Sequence, residues 1–358
     1  MLSNHRLHEV LEEIADISRI GLILYDEKGK LLVASGEPEL DMSNEVEQFA
    51  RSMAESQILS GYHFFKVAID QEVEYILLAK ANYDEAYMVG RLAVCQIRNM
   101  VLANRELSDR NNFMQNILLG NMLVVDIYNK ARKLHIEQAR RLVYVIEVEG
   151  RRESIVMEVV KNLFANRSRD FVTEINEQTV ILIKDASSIR TDEDAMKLAG
   201  MIVAHIQAEA MVKARVGYGN VVDALPDIAK SYQEAKMALE VGRIFYAGRE
   251  AISYGRLGIG RLIYQLPMSL CEMFIREVFG DRELDIDDET MVTIQKFFDN
   301  SLNISETARQ LYIHRNTLVY RLERLQKMIG LDIRNFEDAL TFKIAMMVIA
   351  HMGEADNE

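Results

Sequence analysis

Between Asn303 and Leu325 the chain sets His314, Arg315, Asn316, Thr317, Tyr320, Arg321 and Arg324 at spacings that gather on one helix. These residue types read nucleic acid. Guanidinium groups pair with phosphates or a guanine edge, while amide, hydroxyl and imidazole groups reach other base edges. Leu318, Leu322, Leu325 and Ile329 step by four, three and four, an apolar stripe that must face a small helical core. At about 100° per residue the opposite face carries Asn316, Tyr320, Glu323, Arg324 and Lys327, with Arg315 and Arg321 flanking the stripe. A preceding short helix, with Ser305 as expected N-cap, turns Ala308 and Leu311 inward, and a three-residue turn leads to a second helix starting near Arg315. That is helix-turn-helix spacing. From Arg309 to Lys327 there are five basic residues and one acidic, in a chain of formal charge −13. On this geometry His314, Asn316, Thr317 and Tyr320 are the expected base readers, and Arg315, Arg321 and Arg324 take phosphates or a guanine edge.

The rest of the composition excludes much else. With 358 residues, the chain holds two or three domains at roughly 150 residues each. An apolar share of 49% against 27% charged residues is that of an ordinary globular protein rather than a disordered one. The net negative charge argues against a surface that wraps nucleic acid or anionic lipid as a whole. No apolar run reaches the ~18 residues of a membrane span, and the first residues lack the pattern of a secretory signal. A cytoplasmic chain with no membrane partner is expected. Cys95 and Cys271, the two cysteines, sit far apart in apolar helical patterns and are expected to pack as small hydrophobes.

The elements that position the DNA-reading segment follow from periodicity. A first helix (Leu7, Val10, Leu11, Ile14, Ile17) precedes two hairpins, Ile20 to Ala34 across Asp26 to Gly29, and Tyr62 to Ala79 across Asp70 to Glu72. From Asp84 to about Met122 one long helix is expected. Along it Ala93, Ile97, Met100, Asn104, Leu107, Asn111, Met114 and Leu118 recur at alternating steps of four and three, an a/d seam. Two asparagines in such a seam favour a parallel dimer, and a helix packed within its own chain gives the same spacing. The middle reads as strand Leu142 to Val148, helix Glu153 to Phe164, hairpin Phe171 to Lys184, helix Glu193 to Val212, strand Arg215 to Tyr218 and helix Ala224 to Val241. From Gly260 onward the pattern is helical. The fold class is therefore multidomain α+β: a small sheet domain (1–83), a long helix (84–122), an α/β domain (123–256) and a helical region (257–358) holding the DNA-reading element at about 288–352.

His314 to Leu322 matches in full the run His-Arg-Asn-Thr-Leu-x-Tyr-Arg-Leu, so the segment resembles the C-terminal helix-turn-helix of the PucR/CdaR family of bacterial transcriptional regulators. Gly330 to Arg334 and the helix Phe336 to Ala350 extend the resemblance. Through Gly217-Tyr218-Gly219, Ser231 to Leu239 and Tyr254 to Gly258, the middle domain is similar to the degenerate GGDEF-like domain of these regulators. The hairpin that in true cyclases carries Gly-Gly-Asp-Glu-Phe here reads Ile175-Asn176-Glu177-Gln178-Thr179. Without the glycines the backbone cannot approach a nucleotide, and one carboxylate is a thin basis for a two-metal site. No cyclase activity, no catalytic residue and no cofactor or metal is expected. The first domain resembles a PAS/GAF-like sensor, and Gly29 to Gly36 is similar to the sugar-diacid recognition domain of CdaR-type proteins. Glu37 to Asp41 depart from that pattern, which argues against a diacid ligand.

The resemblance implies a homodimer that binds a double-stranded DNA operator and answers to a small-molecule effector; family members often activate catabolic genes. Tyr25, Ser35, His63, Lys66 and Lys80, near strands of the first domain, are the candidate effector contacts. His5 and His8 lack a third metal ligand, the Gly255 to Gly260 turn lacks a dinucleotide fingerprint, and no hydrolase or Cys-x-x-Cys motif occurs. Two rivals remain, a nucleotide cyclase or phosphodiesterase-like enzyme depending on Glu177 and a scaffold whose C-terminal helices dock a protein. The nineteen methionines read as core filler, and Glu283 to Glu289 as a solvated acidic connector.

Overall fold

A computed structural model describes residues 4–36, 40–80, 85–150, 153–164, 169–176, 179–280, 282 and 286–355. It divides into two compact units, Met1–Phe113 and Met114–Glu358.

In the first unit α1 (Asn4–Ser18) leads into β1 (Leu22–Asp26) and β2 (Leu31–Ala34), then α2 (Ser43–Arg51), β3 (Ser56–Leu59), β4 (Tyr62–Ile69), β5 (Glu72–Lys80) and α3 (Ala86–Leu118). The strands form one antiparallel sheet in the order β2-β1-β5-β4-β3. Turn chemistry fixes both expected hairpins. Asp26 Oδ1 accepts the backbone N–H groups of Lys28 (3.0 Å) and Lys30 (2.8 Å), and Asp70 and Gln71 both take positive φ (50° and 73°), as a two-residue turn between right-twisting strands requires. Alternate residues face opposite sides. Leu22, Leu24, Phe65, Val67 and Leu77 pack with α1 and α3, while Ile23, Tyr25, Phe64, Ile76 and Leu78 pack with Val46 and Phe49 of α2.

Helix α3 meets the first of these faces closely, since a Cβ on Gly90 would lie 2.2 Å from the Phe65 ring. Ala93, Ile97 and Val101 are consequently buried against the chain's own sheet. This corrects the seam at Ala93 and Ile97, which belong to the intramolecular core and are not free to pair with a second chain. Further along, Met100, Asn104 and Asn111 are half-buried, Leu107 is exposed, and Met114 and Leu118 are buried. The large apolar residues that α3 leaves in solvent are Tyr87, Met88, Leu92, Leu102 and Leu107, and Cys95 is exposed rather than packed.

The second unit begins with α4 (Val124–Lys133). It continues β6 (Arg141–Val148), α5 (Glu153–Phe164), β7 (Phe171–Asn176), β8 (Thr179–Asp185), α6 (Asp192–Ala210), β9 (Ala214–Tyr218), α7 (Ile228–Phe245) and β10 (Ala251–Ser253). Sheet order is β10-β9-β6-β8-β7, antiparallel except for the β9–β10 pair. The residues through which this domain is similar to GGDEF-like domains turn out to join sheet to helix. A Cβ on Gly217 would meet the Ala235 carbonyl oxygen at 2.5 Å and one on Gly219 would meet that of Ser231 at 2.2 Å, so both glycines let β9 lie directly on α7. Ser231 Oγ accepts the Val143 N–H (3.2 Å) and donates to the Asn220 carbonyl (2.8 Å), and the buried Glu234 carboxylate accepts the Asn220 N–H (2.8 Å). Glu177, on which the enzyme rival depends, lies outside the described residues.

Asp192, in the first turn of α6, ties three segments together. It accepts from the Tyr218 hydroxyl (2.9 Å), the Ser253 hydroxyl (2.8 Å) and the Arg256 guanidinium. Burial pushes its carboxyl up, but these hydrogen bonds outweigh it and hold the group below the ordinary aspartate value of 3.8. A carboxyl depressed in the folded state lends stability that is complete above its unfolded value and is lost as pH falls through the folded one. Asp192→Asn is therefore expected to lower the melting temperature at pH 7, and the difference from wild type should shrink as pH is brought below 4 in a thermal-melt series.

Candidate nucleic-acid interface

The C-terminal helices are α8 (Ile259–Tyr264), α9 (Met268–Phe279), α10 (Asp288–Asp299), α11 (Ile304–Gln310), α12 (Arg315–Ile329) and α13 (Phe336–Ala355). Their core gathers Phe279, Ile294, Phe297, Ala308, Phe342 and Ala345 around Leu318, Leu322, Leu325 and Ile329, so the expected apolar stripe of α12 is buried along its whole length. Helix α11 starts one residue after Asn303, whose Oδ1 accepts the Glu306 N–H (3.1 Å). Asn303, not Ser305, is thus the N-cap. Both types cap well, and residue type alone did not separate them. The small Ala308 lets α11 cross α12, and the turn is closed by N–H donations from Tyr312 to Arg309 (3.2 Å) and from Ile313 to Ala308 (3.0 Å).

His314 caps α12, its Nδ1 accepting the Asn316 N–H at 3.2 Å. Nδ1 used as an acceptor leaves the neutral ring's proton on Nε2, a donor for a base acceptor. Arg315, Asn316, Thr317, Tyr320 and Arg324 are all exposed, Tyr320 at 66%. Among the described residues Arg315, Arg324 and Lys327 make no ion pair. Arg321 is placed differently. It is only 30% exposed and pairs with Glu289 of α10, also donating to Thr293 Oγ1 (3.3 Å). Arg309 is occupied too, held by both oxygens of Glu306 (3.0 and 2.6 Å), which with Gln310 pulls that carboxyl down to about 2. The free positive charge is thus narrower than the count of basic residues.

At its far end α12 is stopped by Gly330, in the left-handed region at φ +84°, and braced by Arg334, which grips Asp332 through Nε (2.7 Å) and Nη2 (2.9 Å) while reaching Gln326 (3.0 Å). One exposed side chain next to this surface had no periodic signal: Tyr312, 96% exposed in the turn before α12. The effector candidates do not converge. Tyr25 and Lys66 lie in one cross-strand row with Ile76 between them, and Lys80 is in register with Tyr62. The Lys66 amine donates to the Ser52 carbonyl and lies 5.3 Å from the Phe49 ring, where burial lowers its pKa. His63 faces the other side, against Phe65 and Tyr87, and Ser35 Oγ bonds the backbone of Leu22.

Comparison with known proteins accounts for both halves of the second unit. Residues 290–348 match the PucR C-terminal helix-turn-helix domain, and residues 120–241 match a GGDEF-like domain. The purine catabolism regulatory protein of Bacillus subtilis (strain 168) is 21% identical over 97% of this chain and 71% of its own. The carbohydrate diacid regulator of Escherichia coli (strain K12) is 25% identical over 73% of this chain and 71% of its own. A regulator of polyketide synthase expression from Bifidobacterium adolescentis aligns over 67% of this chain and 97% of its own at 15% identity and a TM-score of 0.33, too loose to bear on the fold. A buried stripe that turns a polar, basic face outward, within a matched DNA-binding domain, defines a sequence-specific DNA-binding transcriptional regulator. Through its two matched domains and these relatives the chain is similar to the regulators of the PucR/CdaR family.

Arg315 and Arg321 of α12 should separate in mutants. Arg315→Ala or Tyr320→Ala should cost on the order of 1–3 kcal/mol of DNA affinity with an unchanged melting temperature. Arg321→Ala, which strips Glu289 and Thr293 of a partner, should lower the melting temperature. Fluorescence anisotropy and calorimetry on the same samples check both.

Proposed function

We propose that the protein is a cytoplasmic homodimer whose operator affinity, or capacity to activate, is set by a small-molecule effector bound in the first unit, a PAS/GAF-like sensor. The observation that carries the DNA-reading half is the outward face of α12: Arg315, Asn316, Thr317, Tyr320 and Arg324 exposed around a cap supplied by His314. In this reading His314, Asn316, Thr317 and Tyr320 address base edges, and Arg315 and Arg324 address phosphate or guanine. Arg321, tied to α10, orients α12 and contacts DNA only if it leaves Glu289.

Two recognition helices entering successive major grooves must sit about 34 Å apart. A ligand that binds two helix arrangements unequally can therefore shift operator affinity, and one that binds them equally shifts nothing. Helix α3, common to both units, is the proposed link. Because Ala93 and Ile97 are used internally, pairing of two chains falls to the exposed Met88, Leu92 and Leu102. Tyr25 and Lys66, on the sheet face covered by α2, are the proposed effector contacts that share a face and a cross-strand row. The middle domain is read as non-catalytic, its matching residues serving to hold β9 on α7. No helix among the described residues is long and apolar enough to cross a membrane.

Selection of bound sequences from a random double-stranded pool should enrich a two-fold-related site, and Arg315→Ala should abolish the enrichment. Sedimentation of wild type should give a dimer that Leu92→Asp converts to monomer while the melting temperature of the first unit is kept; a wild-type monomer at tens of micromolar refutes the dimer.

A further inference from the structure

We infer that Tyr312 is a DNA-contacting residue, its phenol hydroxyl donating a hydrogen bond to a backbone phosphate beside the groove that α12 enters. This role presupposes that α12 is the DNA-reading helix and adds a residue on the turn before it. The backbone of Tyr312 is left-handed, at φ 54°. A side chain there crowds the following carbonyl, which is why glycine is common in such turns. Among the described residues no side chain packs on the ring to offset that cost, since it is 96% exposed. Leu302 makes the contrast. It has φ 64° as well, but its side chain is half-buried against the core around Phe297 and Phe342.

The turn itself is rigid. Tyr312 and Ile313 donate to the carbonyls of Arg309 and Ala308, Ala308 is buried and Ile313 packs on the same core. Tyr312 is thus held two residues ahead of the His314 cap, at the end of α12 that enters the groove, where flanking phosphates lie. A tyrosine hydroxyl is a neutral donor, and such donors are among the groups that commonly hold DNA backbone. Exposed left-handed residues occur elsewhere in the chain, Met211 among them, so what singles out Tyr312 is its place in the turn at the groove end of α12 together with a hydroxyl free to donate.

The test uses the full chain on two duplexes, the selected site and a random sequence, over a range of salt. Tyr312→Phe should weaken binding about three- to tenfold, the worth of one hydrogen bond. The loss should be the same on both duplexes, because phosphate carries no sequence. The dependence of affinity on salt should not change, because a neutral hydroxyl releases no counterion. Tyr312→Gly should lose at least as much affinity with a melting temperature equal to or above wild type. Met211, left-handed at φ 53° and 84% exposed at the end of α6, is the control: Met211→Gly should keep wild-type affinity with no loss of melting temperature.

Wild-type affinity in Tyr312→Phe overturns the inference. A loss confined to the selected duplex makes Tyr312 a base reader and overturns the phosphate assignment, and so does an altered salt dependence. Should Tyr312→Gly melt lower, Tyr312→Asn carries the comparison, since asparagine tolerates the left-handed region. If Arg315→Ala abolishes binding and Tyr312→Phe does not weaken it, the role of Tyr312 fails alone. If wild type binds neither duplex at low salt, the reading of α12 falls, and the role of Tyr312 with it.

Discussion

The rotation of α12 about its own axis is the constraint on which the DNA-reading surface depends. Leu318, Leu322, Leu325 and Ile329 are all buried. Turning the helix by even a third of a revolution would return at least two of them to water, at roughly 1.5–3 kcal/mol each. The outward direction of Arg315, Asn316, Thr317 and Tyr320 is therefore a by-product of apolar burial on the other side. Helix α10 serves both ends of this arrangement: Phe297 lies in the core, and Glu289 and Thr293 hold Arg321.

The α/β domain obeys a related constraint, backbone proximity. Gly217 and Gly219 allow β9 to touch α7, and Ser231 and Glu234 then satisfy the backbone groups of Val143 and Asn220 that this closeness would strand without water. Asp192 adds a polar knot among α6, β9 and the turn after β10. Residues that look like a binding motif in one dimension are thereby spent on holding layers together.

Much of this was legible in the sequence wherever a signal is local. The hairpins at Asp26–Gly29 and Asp70–Glu72 are announced by turn residues, and the α12 stripe by its period. What escaped depends on distance. Helix α2 buries only Val46 and Phe49, β3 is an edge strand with Gln57 and Ile58 in solvent, and β10 is three residues long, so none has a full pattern to read. The spacing of Ala93 and Ile97 is the same whether a helix meets another chain or its own sheet, and only the fold decides between them. The pairing of Arg321 with Glu289 spans 32 positions, and Tyr312 sits in a turn where neither period nor charge marks it.

The two thiols meet opposite fates. Cys271 is buried, and burial pushes its thiol up, away from the reactive thiolate; Cys95 stands exposed on α3, its sulfur accepting from the Asn99 amide at 3.8 Å. The native chain therefore comes equipped with one chemically addressable position, on the very helix that both units share. At about 100° per residue Cys95 falls on the face of α3 that carries Met88, Leu92 and Leu102, so the proposed pairing would bring two such thiols together at the seam, and their loss of reactivity on pairing would report the contact directly.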